Sequence, residues 1–302
     1  MQSRQHVLEI DAISRRYGDV VALADLSFTV EEGMICGFVG PNGAGKTTAM
    51  RIILGVLAAD GGDVRWDGRP IDGPIRASFG YMPEERGLYP KMRVSDQLEY
   101  FARLHGVPRA DSAAAAQQWI ERMGLAERAR DRVEALSLGN QQRVQLAAAL
   151  VHDPVALILD EPFSGLDPIG VDVMSEVLRD RAGAGVPVLF SSHQLELVER
   201  LCDSVAILKA GRLVAFGPVA ELRAQGGRGA WRVAVDGADK RWIERVAGAR
   251  VLEADARGLL VALQDGADEQ ALLDAARAAG RVWHFAREEP TLAELFKGVI
   301  AQ

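Results

Sequence analysis

The chain has 302 residues, which is enough for one large domain and a smaller one. Its formal net charge of −7 argues against nucleic acid as the main partner, because a nucleic-acid-binding face is basic. No stretch reaches the roughly 18 apolar residues of a membrane span, and no signal peptide is visible, so action at a membrane would need a partner chain. Cys36 and Cys202 lie in apolar segments and are expected to be reduced core residues.

The N-terminal region predicts two strands, then a buried strand, a loop and a helix. Residues 7–13 and 20–30 alternate apolar and polar, as strands with one solvated face do. The apolar run 35–39 predicts a buried strand, and apolar residues with helical spacing follow over 50–57. Between them, Gly40-Pro41-Asn42-Gly43-Ala44-Gly45-Lys46-Thr47 fits G-x-x-x-x-G-K-[ST], the Walker A phosphate-binding loop.

This loop predicts a nucleotide site. Glycines let successive backbone N–H groups point at a phosphate, and the following helix N-terminus adds a partial positive charge. Lys46 is expected to reach the β- and γ-phosphates, Thr47 to ligate Mg²⁺, and Thr48 to join the nucleotide-binding set. The alternative is a chance glycine-rich turn, which would match four positions in roughly one window in 10⁴ to 10⁵.

Further along, residues 91–133 are helical in pattern and 141–151 predict another helix. The apolar runs 155–160, 186–190 and 204–208 predict central parallel strands. Asp160 and Glu161 end the first of these runs, where ligands bind in open α/β sheets. Asp160 is placed to hold Mg²⁺ and Glu161 to polarise an attacking water as general base. The alternative is an acidic capping step after a strand.

A glycine-rich linker at 225–229 precedes a compositionally different C-terminal region. Its predicted order is β-α-β-β-α-β, the split βαβ pattern of ferredoxin-like domains, followed by a helix at 290–300. We therefore predict an α/β nucleotide-binding domain at 1–224, with a helical subdomain at about 84–150, and a small α+β accessory domain at 228–302. The tryptophans of that second domain are expected to fill its core: Trp231, Trp242 and Trp283.

The segment Leu136-Ser137-Leu138-Gly139-Asn140-Gln141-Gln142-Arg143 resembles the signature motif of ATP-binding cassette (ABC) ATPases. Other family motifs follow in family order. Ser164-Gly165-Leu166-Asp167-Pro168 resembles the D-loop, His193 the switch histidine, and Tyr17 the aromatic residue that stacks on adenine. The resemblance covers about residues 7–220 and implies a P-loop ABC-type fold, with an antiparallel β subdomain, a parallel-sheet core and a helical subdomain.

The resemblance also implies a composite site that takes ATP and Mg²⁺. Two copies of the chain would pack head to tail, so that each ATP lies between one phosphate loop and the partner's signature residues, here Ser137 and Gly139. His193 would contact the γ-phosphate from the loop-bearing chain, and Asp167 would link the two sites.

Two motifs depart from the family pattern. The family's Mg²⁺-sensing glutamine is replaced by Glu84, whose carboxylate is expected to take over the metal and nucleotide contact. Leu138 and Asn140 replace the usual Gly and Gln of the signature. Residues 80–90 and the C-terminal 289–296 are similar to the sodium-extrusion-type and drug-export-type ATPases, which serve separate ABC-2 type permeases.

The resemblance implies an ATPase subunit that energises export through a separate permease, which segment 84–105 would contact. Such a subunit is cytoplasmic, homodimeric and peripheral at the inner face of the cell membrane. Two alternatives stay open: a soluble, non-transport ABC ATPase acting on a macromolecular complex, and a nucleotide-sensing module without turnover. The first usually carries two cassettes or a long coiled-coil insertion. Glu161 and His193 argue against the second.

Overall fold

A computed structural model describes residues 6–85, 87–225, 230–237, 240–264, 266–288 and 291–301. The chain divides into two compact units, Met1–Pro218 and Val219–Gln302. The sequence places the boundary a little later, at 225–227. Parts of three predicted features lie outside the described residues: linker residues 226–229, Arg86 of the stretch 80–90, and residues 289–290 of the C-terminal motif.

The first unit contains two β-sheets. Its strands, in chain order, are β1 (Leu8–Tyr17), β2 (Val20–Val30), β3 (Ile35–Val39), β4 (Gly61–Trp66), β5 (Arg69–Pro70), β6 (Phe79–Met82), β7 (Ala156–Leu159), β8 (Val188–Ser192), β9 (Ser204–Lys209) and β10 (Arg212–Pro218). One sheet has the order β2-β1-β4-β5 and antiparallel pairing, which confirms the antiparallel β subdomain that the family resemblance implies.

The central sheet has the order β10-β9-β3-β8-β7-β6 and is parallel except for the β10 edge. Strands β3, β7 and β8 are buried along their whole length, as continuous apolar runs predict. The two sheets share one hydrophobic core, in which the Phe28 and Phe38 rings stack 5.3 Å apart. Because β3, β8, β7 and β6 run in one direction, the residues that follow them meet at one edge.

Seven α-helices are described in the first unit. They are α1 (Lys46–Ile53), α2 (Gly73–Ala77), α3 (Val94–Leu104), α4 (Arg109–Arg122), α5 (Leu138–Leu150), α6 (Pro168–Gly183) and α7 (Leu195–Leu201). Helices α3 and α4 pack against each other and against α5. The predicted helical stretch 91–133 forms α3 and α4, interrupted at 106–108 as the Gly-Val-Pro sequence requires. Helix α5 begins at Leu138, earlier than its predicted start at 141, because the Ser137 hydroxyl caps it.

The second unit is a small α+β domain. It comprises α8 (Val219–Gln225), β11 (Ala230–Val235), a 3-10 helix (Lys240–Arg245), β12 (Ala249–Asp255), β13 (Gly258–Leu263), α9 (Glu269–Ala279), β14 (Val282–Glu288) and α10 (Leu292–Ala301). Its sheet order is β12-β13-β11-β14 with antiparallel neighbours. Strand β13 thus separates β11 from β12, which confirms the predicted split βαβ pattern, although the first connection is a 3-10 helix.

The tryptophans of this domain differ in burial. Trp242 is buried in the core and Trp231 packs partly buried against it. Trp283, however, is 64% exposed, so the prediction that it fills the core is wrong. It lies on edge strand β14, where the Arg281 guanidinium stands 4.4 Å from its ring centroid and covers the ring's π face instead. The two cysteines, in the first unit, are free and buried as predicted.

Candidate active site

The loop between β3 and α1 has a backbone that only glycine permits at two positions. Gly45 caps α1 with φ 105°, and a Cβ atom there would lie 2.5 Å from the Ala22 carbonyl oxygen. At Gly40 a Cβ atom would lie 2.6 Å from the Leu208 carbonyl oxygen. The loop therefore packs directly against neighbouring backbone, and the free N–H groups at the start of α1 are available to an anion.

Lys46, the first residue of α1, is buried at the base of this loop. Its Nζ atom donates to the Gly40 carbonyl at 2.7 Å and to the Pro41 carbonyl at 3.4 Å. The ammonium group thus lies under the curve of the loop, where the motif places it for contact with phosphate oxygens.

A cavity of about 310 Å³ opens above the loop. The loop residues 42–48 and the β2 residues Val20–Ala22 line it, together with Glu84 after β6 and Asp160 and Glu161 after β7. The structure therefore brings three predicted carboxylates to the predicted phosphate loop, although they lie far apart in the sequence.

Asp160 is buried at 1% exposure and its two oxygens differ. Oδ1 accepts a hydrogen bond of 2.6 Å from the Ser191 hydroxyl, whereas buried Oδ2 has no hydrogen-bond partner among the described residues. A buried carboxylate oxygen without a partner is costly, so this atom requires an explanation. A cation bound in the cavity would provide one.

The oxygen ligands at this point fit Mg²⁺. The described residues gather no group of three or more His, Cys, Asp or Glu side chains that could hold a metal alone. The cavity instead offers the Thr47 hydroxyl and the Asp160 and Glu84 carboxylates. Mg²⁺ is ordinarily held by one or two carboxylates, with water and substrate phosphates completing its shell.

Glu161 has a strained backbone, and a hydroxyl group accepts its N–H. Its φ is 51°, in the left-handed region that a non-glycine residue rarely occupies, and its N–H donates to the Ser191 hydroxyl at 2.8 Å. Its Oε2 lies 2.9 Å from His193 Nδ1. Burial raises the pKa of this carboxyl group, against the opposing effects of His193 and Lys46. A raised pKa makes the carboxylate a better proton acceptor.

Tyr17 lies at the end of β1, beside the cavity. It is not among the described residues that line the cavity, but it pairs with Val20, which is. Its side chain is about half exposed, and the Arg15 guanidinium stands 5.1 Å from its ring centroid. The ring is therefore accessible for stacking next to the cavity mouth.

Ser137, Gly139 and Asp167 lie at helix starts and not among the described residues around the cavity. The Ser137 hydroxyl accepts the Asn140 N–H at 3.4 Å at the start of α5, which also contains Gly139, and the Asp167 carboxylate accepts the Gly170 N–H at 2.7 Å at the start of α6. Leu138 is 46% exposed at the same end of α5. This separation is what a site completed by a second copy requires.

Sequence reasoning missed two contributors to the site. Ser191 bridges Asp160 and the Glu161 backbone, and Val20–Ala22 form one wall. The signal for Ser191 was its position at the end of β8, the strand paired with β7. A hydroxyl at the carboxyl end of a neighbouring parallel strand points to the same edge.

Comparison with known proteins identifies the family. Residues 23–164 match the model of the ABC transporter family, and residues 217–300 match the ATP-binding protein DrrA1-3-like C-terminal domain. A solved ATP-binding subunit of an ABC transporter is 32% identical with a TM-score of 0.67, covering 72% of this chain and 92% of that one.

Of two curated relatives, one matches nearly the whole chain and the other about three quarters of it. The uncharacterised ABC transporter ATP-binding protein YhaQ of Bacillus subtilis is 38% identical over 96% of this chain and 97% of its own length. The daunorubicin resistance ATP-binding protein DrrA3 of Streptomyces coeruleorubidus is 35% identical over 73% of this chain and 71% of its own. This chain therefore belongs to the family of ABC transporter ATP-binding proteins.

Proposed function

We propose that the chain hydrolyses ATP to energise export through a separate membrane permease. The observation that carries the chemistry is the hydrogen-bonded series Asp160–Ser191–Glu161–His193 at the edge of the phosphate-loop cavity. The names of related proteins, daunorubicin resistance ATP-binding protein DrrA3 and Nod factor export ATP-binding protein I of Ralstonia nicotianae, support export.

In this proposal, water attacks the γ-phosphorus in line as the bond to the β–γ bridging oxygen breaks, giving ADP and phosphate. Glu161 accepts the proton of that water through its carboxylate. His193, held by its Nδ1 contact with Glu161, presents Nε2 to the γ-phosphate. Lys46 and the N–H groups of the loop neutralise the phosphate charge.

Thr47, Asp160 and Glu84 would hold Mg²⁺ at the cavity. When bound, the cation would supply positive charge that offsets the negative charge developing on the phosphates. Asp160 contributes its unpartnered Oδ2, while Ser191 fixes the orientation of the carboxylate through Oδ1. Glu84, in place of an amide, adds a further negative charge that favours the cation.

The complete site would form between two copies of the chain, closed by Ser137 and Gly139 of the second copy, with Asp167 linking the two sites. The free N–H groups and positive dipole at the start of α5 suit contact with a γ-phosphate. The Asp167 carboxylate lies 3.7 Å from the guanidinium of Arg143, which belongs to α5. This ion pair connects the D-loop to α5. Tyr17 would stack on the adenine.

The permease would dock on segment 84–105 and so hold the chain at the inner face of the cell membrane. Among the residues that the structure describes, no helix has the length and apolar character to cross a bilayer. The segment does carry an aromatic cluster of Tyr89, Tyr100 and Phe101, in which both tyrosines are at least 40% exposed. Exposed tyrosines of this kind are typical of protein interfaces.

The substitution Glu161→Gln tests the proposal. It keeps the shape of the side chain but removes the proton acceptor, so we expect turnover to fall by about 10²–10⁴ while a fluorescent ATP analogue still binds. Light scattering should also detect dimers of this variant with ATP. The exposed Glu176→Gln on α6 serves as control. Near-normal hydrolysis would remove Glu161 from the role of base, and a monomer with ATP would contradict the two-copy site.

A further inference from the structure

Helix α5 carries buried glutamine side chains, although an apolar interior favours apolar side chains. Gln142 and Gln145 are 5% and 4% exposed, and their spacing of three residues places them on one side of the helix. Burial of an amide requires hydrogen-bond partners, so the partners of these two side chains show what the face is for.

Both partners are backbone carbonyls next to carboxylates of the cavity. Gln142 Nε2 donates to the carbonyl oxygen of Glu161 at 3.1 Å, and Gln145 Nε2 donates to the carbonyl oxygen of Pro83 at 2.5 Å. Pro83 directly precedes Glu84. One face of α5 is therefore bonded to both loops that bring carboxylates to the phosphate loop.

The Gln142 bond acts on a peptide that is already constrained. The Ser191 hydroxyl accepts the Glu161 N–H, and Gln142 donates to the carbonyl of the same residue, so the residue is fixed on both sides. Left-handed backbone at a non-glycine residue is unfavourable and persists only where its surroundings impose it. The Ser164 N–H donates to the same carbonyl at 3.2 Å, so without the Gln142 bond the Glu161 carbonyl keeps one of its two donors but loses its connection to α5.

Stability does not explain Gln145. Its Oε1 is buried without a hydrogen-bond partner within the described part of the chain. A methionine of similar shape would avoid that desolvation cost, since an unpaired buried acceptor is unfavourable. The amide is therefore better explained by what its nitrogen holds, the Pro83 carbonyl.

We propose that Gln142 and Gln145 are positioning residues that fix Glu161 and Glu84 relative to the start of α5. This inference rests on the proposed function. Ser137 and Gly139 lie at that start, where they would contact the nucleotide bound to a second copy. If that contact moves α5, it also moves Glu161 and Glu84 in the site of this copy. The two glutamines thus connect the two sites of the dimer through one helix.

The test is Gln142→Met, which keeps the length of the side chain and removes the donor. We expect kcat to fall about tenfold with the KM for ATP within about twofold, because the phosphate loop is untouched. The matched control is Gln97→Met, at a fully buried glutamine of α3 that accepts the Tyr89 N–H. It should leave kcat within about twofold, which excludes the general loss of a buried amide.

A double variant separates positioning from folding. In a Glu161→Gln background the base is already gone, so adding Gln142→Met should lower turnover by less than about twofold. An undiminished tenfold loss in that background would overturn the assignment, as would a normal kcat in Gln142→Met alone. If Gln142→Met does not fold by thermal melting, Gln142→Asn withdraws the same amide from Glu161 and is held to the same outcomes.

Gln145→Met has its own readout. Because the Pro83 carbonyl loses its donor, we expect the Mg²⁺ concentration for half-maximal hydrolysis to rise severalfold while the KM for ATP at saturating Mg²⁺ is retained. An unchanged Mg²⁺ dependence would contradict the role of Gln145. A wild-type chain that does not hydrolyse ATP would refute the proposed function itself, whereas an active wild type with unaffected variants would refute only the positioning role.

Discussion

In the first unit, several buried side-chain nitrogen and oxygen atoms have no hydrogen-bond partner among the described residues, including Asp160 Oδ2 and Gln145 Oε1. In the second unit, the described residues include no such atom. Its most buried charge, Arg232 at 3% exposure, contacts three carboxylates: Glu253, Asp255 and Glu288. The first unit thus leaves several buried polar atoms unpaired, whereas the described part of the second unit leaves none.

The difference shows which buried polar groups lower the stability of each unit and which support its structure. An unpartnered buried carboxylate opposes folding, and proteins retain such groups at sites where a ligand or reaction needs them. A buried charge with several partners instead contributes to the structure that surrounds it. One such group can therefore be substituted in each unit. The two substitutions should change the free energy of unfolding in opposite directions.

Within this comparison of the two units, the largest effect is expected for Asp160→Asn. The amide still accepts the Ser191 hydroxyl but removes the unpaired charge, so hydrolysis should fall by about 10²–10³ as Mg²⁺ is lost. Without nucleotide, the free energy of unfolding should rise by about 1 kcal/mol. Phosphate release and urea unfolding measure the two quantities, with the exposed Asp172→Asn as control. A variant that is both inactive and less stable would contradict the inference that the Asp160 carboxylate opposes folding.

Arg232→Met should show the reverse pattern. Removing the guanidinium leaves three carboxylates without their shared cation, and we expect the second unit to lose about 2 kcal/mol of unfolding free energy. Binding of ATP should stay unchanged, because the phosphate loop belongs to the other unit. Calorimetry and nucleotide titration test this, and Arg277→Met, at an exposed pair with Asp274, is the control. Loss of ATP affinity would show that the second unit takes part in the site.

A smaller effect concerns a histidine pair of the first unit. His105 and His152 stack with ring centroids 3.8 Å apart, and His152 Nε2 lies 3.3 Å from the Phe79 carbonyl oxygen. Burial, and then the charge of His105, lower the pKa of His152 from 6.5 to about 4, although Asp153 opposes the shift. His152 Nδ1 is another buried atom with no partner within the described ranges.

Because His152 takes up a proton more readily when the chain is unfolded, its effect on stability has a defined sign. Stability should be full above about pH 6.5 and fall as the pH decreases towards about 4, by about 1 kcal/mol per pH unit at most. Urea unfolding at several pH values measures this slope. His152→Phe should flatten it, whereas His284→Gln, at an exposed histidine of β14, should not. Equal slopes in wild type and His152→Phe would exclude this histidine as the source.

Much of the first unit could be predicted because its chemistry is local in sequence. The phosphate loop, the buried strands and the carboxylates after β7 each rest on a pattern of a few neighbouring residues. The contacts of Ser191, Gln142 and Gln145 could not be predicted in this way. Each joins residues that are brought together only by the order of strands in the sheet.

The second unit shows the same limit in another form. Alternation along β11–β14 predicts the strands and their order, but burial of an aromatic side chain depends on which edge its strand occupies. Trp231 and Trp283 both lie on strands, yet only the first packs on the core. Likewise, the sequence predicts a helix between the first two strands of this unit but does not distinguish an α-helix from the 3-10 helix found at Lys240–Arg245.

Lys46 has a consequence for how tightly nucleotide can bind. Its ammonium group already donates to two carbonyl oxygens of its own loop, at 2.7 Å and 3.4 Å. A phosphate oxygen that binds Lys46 therefore competes with these internal acceptors, and the affinity gained is the difference between two sets of bonds. The same internal bonds keep the loop in shape, so little ordering entropy is lost on binding. The proposed hydrolysis requires release of product in every cycle, and an affinity limited in this way is compatible with that release.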